Sequence, residues 1–229
     1  MVIGGFQKFS LIDYPGKISA IVFTQGCNFR CPYCHNPELV QTSQYSKPIP
    51  EQEVLNFLNR RTGSLDAVCI TGGEPTLQPD LISFLYECKT MNYLIKLDTN
   101  GTHPALLEKI IHLNLVDYLA MDIKAPLAKY AQITKSNVNP DSIIESIKLI
   151  KNSNVDYEFR STLVQNLLTT EDVFNIVKLL GHAKRYSLQK FVPSKTLDAK
   201  FKDYSSFSQE NLNLLARELQ SLFSEFAIR

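Results

Sequence analysis

Six apolar, β-branched runs alternate along this chain with segments of helical period, and that alternation restricts the fold more than any other feature. Residues 18–24 (ISAIVFT), 65–71 (LDAVCIT), 93–99 (YLIKLDT), 117–123 (DYLAMDI), 155–163 (VDYEFRSTL) and 186–192 (YSLQKFV) read as buried strands. Helix-period segments are expected over 50–61, 79–90, 104–113, 141–151, 170–180 and 209–226. Gly181 marks a helix stop after Leu180. Repeated βα units imply a parallel sheet with right-handed crossovers, either open and doubly wound or curled into a barrel. The residues with chemistry fall at the strands' C-terminal ends. Cys27 follows the first strand and TGGEP (71–75) the second; DTNG (98–101) ends the third and DIK (122–124) the fourth; Arg160 lies late in the fifth. In a barrel or part-barrel these ends share one rim, where such folds carry their sites.

The 229 residues fit one domain, taken here as 1–229, and are long enough to bury a full core. A formal net charge of +1 gives no reason to expect a nucleic-acid or membrane-surface partner. No run is long and apolar enough to span a bilayer. Met1 to Ser10 lacks the basic and apolar regions of a signal peptide, so the expected compartment is the cytoplasm. Three of the five cysteines crowd into eight residues, which points to a metal or redox chemistry rather than to a disulfide framework.

Those three, Cys27, Cys31 and Cys34, have the spacing C-x3-C-x2-C within GCNFRCPYCHNP. The spacing lets three thiolates from one loop meet one metal centre, and thiolates favour zinc and iron–sulfur clusters. A structural zinc ion takes four protein ligands, and His35 is placed to complete a Cys3His site. An iron–sulfur cube with three protein ligands would instead leave one iron open to a substrate. On spacing alone the two readings stand level.

The companion motifs separate them. The cysteine stretch, with Tyr33 before its last cysteine, resembles the signature of the radical S-adenosylmethionine (SAM) superfamily. TGGEP after the second strand resembles that family's SAM-binding loop. The likeness covers nearly the whole chain and implies a partial (β/α)6 TIM-like barrel, an α/β fold of mostly parallel strands. SLIDYPGK (10–17), LDTNG (97–101) and MDIK (121–124) are similar to the glycyl-radical-enzyme activases, above all to those serving anaerobic ribonucleotide reductase.

The resemblance implies a [4Fe–4S] cluster on Cys27, Cys31 and Cys34, and SAM cleavage to a 5′-deoxyadenosyl radical that installs a glycyl radical on a partner enzyme. It implies flavodoxin or ferredoxin as electron donor. It places Tyr33 near the adenine of SAM, Gly72 and Gly73 against the ligand, and Glu74 at its ammonium group. Asp98, Thr99 and Asp122 would hold a monovalent cation or ribose hydroxyls, or else cap the next helix. Lys124 would hold SAM or the peptide, and Arg160 the SAM carboxylate unless paired elsewhere in the rim. Asp13-Tyr14-Pro15-Gly16 reads as a turn; similar turns in activases lie near the site. Residues 188–192 (LQKFV) lack the histidine that some activases carry there, which puts a ribose contact from that strand in doubt. Cys69 and Cys88 read as buried small hydrophobes, and His103, His112 and His182 as structural. Two alternatives remain at this point: a small-molecule radical SAM enzyme like the 7-carboxy-7-deazaguanine synthases, and a non-enzymatic zinc-binding module.

Overall fold

A computed structural model describes residues 1–229. One eight-stranded sheet runs in strict sequence order, with its first and last strands unpaired to each other. The strands are β1 (Ile3–Ser10), β2 (Ser19–Thr24), β3 (Ala67–Gly72), β4 (Leu94–Thr99), β5 (Tyr118–Asp122), β6 (Asp156–Leu163), β7 (Arg185–Lys190) and β8 (Glu225–Ile228). β1 runs antiparallel to β2, and every other neighbour is parallel. This is the expected α/β part-barrel, left open. The helices are α1 (Pro37–Val40), α2 (Glu51–Arg61), α3 (Leu81–Thr90), α4 (Pro104–His112), α5 (Tyr130–Thr134), α6 (Pro140–Asn152), α7 (Thr170–Leu180) and α8 (Gln209–Leu219). None is long and apolar enough to cross a membrane.

The period of two along each strand sends alternate residues to opposite faces. Val68, Ile70, Ile95, Leu97, Leu119 and Phe159 join the helices' Leu81, Phe84, Leu107, Ile110 and Ile147 in the main core. The opposite face holds a small cluster of Ile21, Ala67, Cys69, Tyr118 and Ala120. Lys96, Asp98, Glu158 and Arg160 share the concave face with this small cluster and alternate along their strands with the core residues Ile95, Leu97 and Phe159, so that face turns from apolar to charged toward the strand C-termini.

Tyr14 caps the apolar end, its ring 5.8 Å from that of Tyr118. It opens the expected turn: Lys17 N donates to Tyr14 O at 3.2 Å, and Gly16 takes φ +68°. The turn leads into the first residue of β2 and therefore lies at the end of the barrel opposite the rim, not beside the site.

Two strands were not among the expected ones. β1, IGGFQKFS, carries two glycines and a lysine, a poor strand pattern that pairing with β2 overrides. The expected helix 209–226 ends at Leu219, followed by a 3-10 turn and β8. Pairing Glu225–Ile228 with β7 covers that strand's open edge, and Phe223 and Phe226 pack on Tyr186 with centroids 5.2 and 6.2 Å away. The apolar spacing beyond Leu219 thus serves a strand. Leu212, Leu215 and Leu219 are buried on the chain's own core as expected, while Leu222 is 47% exposed. Leu219→Lys should therefore cost about 3 kcal/mol in a denaturant melt and Leu222→Lys less than about 0.5 kcal/mol, whereas one continuous packed stripe would make both costly.

Candidate active site at the C-terminal rim

The cysteine loop leaves β2 through Thr24, Gln25 and Gly26. Its base is strapped to the loop after β3: Gly73 N donates to Thr24 O at 2.9 Å, and Glu74 N to Gly26 O at 2.8 Å. The two backbones lie so close that a Cβ on Gly73 would sit 2.0 Å from Gly26 O. Gly72 takes φ +112°, and its Cβ would come within 2.5 Å of Thr24 N. Glycine is thus required at Gly72 by a positive φ and at both positions by the neighbouring loop, and both also line the cavity. Further out, Arg30 N donates to Thr134 O, and Asp198 N to Pro32 O, both over about the length of an ordinary hydrogen bond.

All twelve candidate residues line one cavity of about 260 Å³: Cys27, Cys31, Cys34, Tyr33, Gly72, Gly73, Glu74, Asp98, Thr99, Asp122, Lys124 and Arg160. Thr162 of β6, Gln189 of β7 and Asn100 also line it, although none of them is among the residues the sequence assigns to the site. Gln189 stands in the strand where some activases carry a histidine, and its inward place in the strand's alternation is the signal for it.

Burial pushes the Cys27 thiol up to about 12 and that of Cys31 to about 11, with Lys124 pulling both the other way. Phe29 N donates to Cys27 Sγ at 3.3 Å. His35 is turned elsewhere: its Nε2 is 2.9 Å from Val192 O, and its ring stacks on Phe191 at 5.4 Å. No three His, Cys, Asp or Glu side chains converge on a single ion position. A tetrahedral zinc ion needs such convergence, whereas a cube spreads its thiolates over separate iron corners.

Beneath the loops lies a charged floor. Arg160 bridges two carboxylates, Nε to Asp122 at 2.9 Å and Nη1 to Asp98 at 3.2 Å. Lys124 reaches Asp122 at 3.1 Å, and buried Lys96 reaches Asp98 at 2.6 Å. Burial raises both carboxyls, but Arg160 with Lys96 or Lys124 outweighs it and holds Asp98 and Asp122 below the usual carboxylate range. Three cations against two carboxylates leave the floor one positive charge in excess. Arg160 is thus paired within the rim, using two of its five N–H donors.

Glu74 is nearly inaccessible, and its carboxylate serves the loops themselves. Oε1 accepts from Thr76 N, Thr76 Oγ1 and Thr99 Oγ1 at 3.1, 2.5 and 2.8 Å, and Oε2 from Asn100 N at 2.7 Å. A carboxylate has about four lone-pair sites, so only Oε2 keeps capacity for a ligand's ammonium group. Thr99 is therefore a tie between loops and not a helix cap; His103 occupies the cap position of α4. The hydroxyl of Tyr33 is buried with no hydrogen-bond partner in the chain, so a polar ligand group in the cavity would satisfy it.

The chain belongs to the radical SAM superfamily, whose sequence pattern matches residues 21–185. Within it the chain goes with the glycyl-radical-enzyme activating enzymes. A protein of Methanocaldococcus jannaschii bearing that name is 34% identical over 233 residues, covering 100% of this chain and 95% of its own. The pyruvate formate-lyase-activating enzyme of Clostridium pasteurianum is 28% identical over 242 residues, covering 97% and 99%. Two solved structures share the fold. SuiB of Streptococcus suis, bound to S-adenosylmethionine, has TM-score 0.64 at 14% identity over 91% of this chain. Coproporphyrinogen III oxidase (HemN) of Escherichia coli has 0.63 at 12% over 92%. This chain spans about half of each, 49% and 54%. Membership implies a [4Fe–4S] cluster and SAM. The site fits both: three thiols of one loop face the cavity, Tyr33 offers an unpartnered hydroxyl, and the floor's excess positive charge suits a carboxylate.

Gly73→Ala, whose Cβ meets backbone that cannot swing aside, should separate the two loops and lower SAM cleavage about a hundredfold, the scale of a misplacement of about 1 Å. Gly5→Ala, whose Cβ would meet Phe23 at an ordinary 3.4 Å, should leave the rate unchanged in the same assay.

Proposed function

We propose that Cys27, Cys31 and Cys34 hold the cluster, that the cavity between the cysteine loop and Gly72-Gly73-Glu74 binds SAM, and that the chain activates an anaerobic ribonucleotide reductase. What carries the reading is the convergence of side chains from the ends of five parallel strands, β2 to β6, on one cavity that the three cysteines share. Held by Cys27, Cys31 and Cys34, a cluster would supply the one electron that breaks the adenosyl carbon–sulfur bond of SAM, giving methionine and a 5′-deoxyadenosyl radical able to take a hydrogen atom from a partner's glycine.

The chain's own residues orient and shield. Cys31 and Tyr33 are buried, so water is kept from the inner side of the loop. Oε2 of Glu74 accepts from the SAM ammonium group, and Lys124 and the spare donors of Arg160 hold its carboxylate. Tyr33 bonds a polar atom of the adenosyl group. No monovalent cation enters the proposal, because Asp98 and Asp122 are already matched by Lys96, Lys124 and Arg160. The electron comes from flavodoxin or ferredoxin, and the work is done in the cytoplasm without oxygen.

Support for the reductase is the likeness of SLIDYPGK, LDTNG and MDIK to its activases, while the Methanocaldococcus jannaschii relative supports a glycyl-radical-enzyme partner of either kind. Mixed with SAM, a reductant and an anaerobic ribonucleotide reductase, the protein should raise a glycyl-radical signal in electron paramagnetic resonance. Alanine at any one of Cys27, Cys31 or Cys34 should abolish it. A signal with pyruvate formate-lyase and none with the reductase would reassign the partner; full SAM cleavage in a cysteine variant would overturn the site.

A further inference from the structure

His103 looked structural in the sequence, yet its ring sits at a junction of three loops. Its Nδ1 is 3.0 Å from Thr76 Oγ1 and 3.1 Å from Thr102 Oγ1. Both hydroxyls have already committed their single proton. Thr76 donates to Glu74 Oε1 at 2.5 Å, and Thr102 to Asn100 Oδ1 at 2.7 Å. A hydroxyl has one proton to give, so at both contacts the imidazole is the donor and Nδ1 carries hydrogen. The network continues into the cysteine loop. Asn28, next to Cys27, donates from Nδ2 to Thr102 Oγ1 at 2.9 Å and accepts at Oδ1 from Asn100 Nδ2 at 2.8 Å. The single hydroxyl protons of Thr76 and Thr102 and the amide orientations of Asn28 and Asn100 fit one another in this network, so reversing one donor disturbs its neighbours.

We propose that His103 is a positioning residue for SAM. Its Nδ1–H fixes the Thr76 and Thr102 hydroxyls as donors away from itself. That choice adds the Thr76 hydroxyl to the bonds Oε1 of Glu74 already accepts from Thr76 N and Thr99 Oγ1, and leaves Oε2 as the oxygen with room for the ammonium group. Through Asn100 and Asn28 it also holds the cysteine loop in register with the Glu74 loop. Were the ring to accept at Nδ1, the Thr76 proton would turn to it, and buried Glu74 would lose a donor. The inference rests on the reading of the cavity as the SAM site.

Two measurements test it on the full chain. Nitrogen-15 histidine spectra of the holoenzyme, with the His103 signal assigned by its loss in His103→Asn, should show hydrogen on Nδ1; the Nε2–H form would overturn the proposal. In SAM-cleavage kinetics, His103→Leu should raise the KM for SAM about tenfold, as for one lost hydrogen-bond chain to a charged group, with kcat changed less than about threefold. His103→Asn, whose amide nitrogen stands where Nδ1 stood, should bring KM back within about threefold of the parent. Equal impairment of both variants at normal iron content and melting temperature would mean a merely structural histidine and overturn the proposal, as would an unchanged KM in His103→Leu. If His103→Leu does not fold, the tautomer and the near-parental KM of His103→Asn still decide. A parent protein that holds iron and cleaves no SAM would instead defeat the reading of the cavity.

Discussion

Two backbone hydrogen bonds, Gly73 N to Thr24 O and Glu74 N to Gly26 O, continue the pairing of β2 with β3 beyond the sheet and bring the cysteine loop edge to edge with the glycine-rich loop. The contact is possible only without a Cβ at Gly73. Everything at the site depends on it. It sets the distance between three thiols and the carboxylate of Glu74, and it makes both loops walls of one cavity. The sheet beneath supplies rigidity: the strands that end at the rim are buried in the core below, so the loops are mounted on parts that cannot drift.

Charge is the second organising element. A buried lysine or arginine is tolerated where it is paired, and here Lys96, Lys124 and Arg160 are paired with Asp98 and Asp122 on the concave face. The pairing prepays much of the desolvation a charged ligand would face. The surplus positive charge favours a carboxylate over the cavity floor, while Glu74 on the wall favours an ammonium group. An amino-acid head group has both, and SAM presents one.

The six central strands were legible because buried parallel strands are runs of Val, Ile and Leu with few competing signals. β1 was not, since two glycines and alternating polar residues depress its strand pattern and only its partner makes it a strand. β8 was hidden because Phe223 and Phe226 continue the leucine spacing of α8, and short apolar runs do not declare their period. The site was legible in its residues and not in their wiring. The motifs and strand ends pointed to twelve of the twenty residues that line the cavity. They could not tell that Glu74 is held by Thr99 and Asn100, or that His103 meets Thr76, because such bonds join positions far apart in sequence. Lys96 had a readable signal: a lysine at the centre of YLIKLDT must face a partner inside.

The central claim is that three cysteines of one loop hold a cluster and leave one iron to SAM. An absorption spectrum and metal analysis of protein purified without oxygen tests it most directly. The account predicts a brown protein with about four irons per chain whose spectrum changes on addition of SAM. A colourless protein with one zinc ion and no iron, even after reconstitution with iron and sulfide, would contradict it.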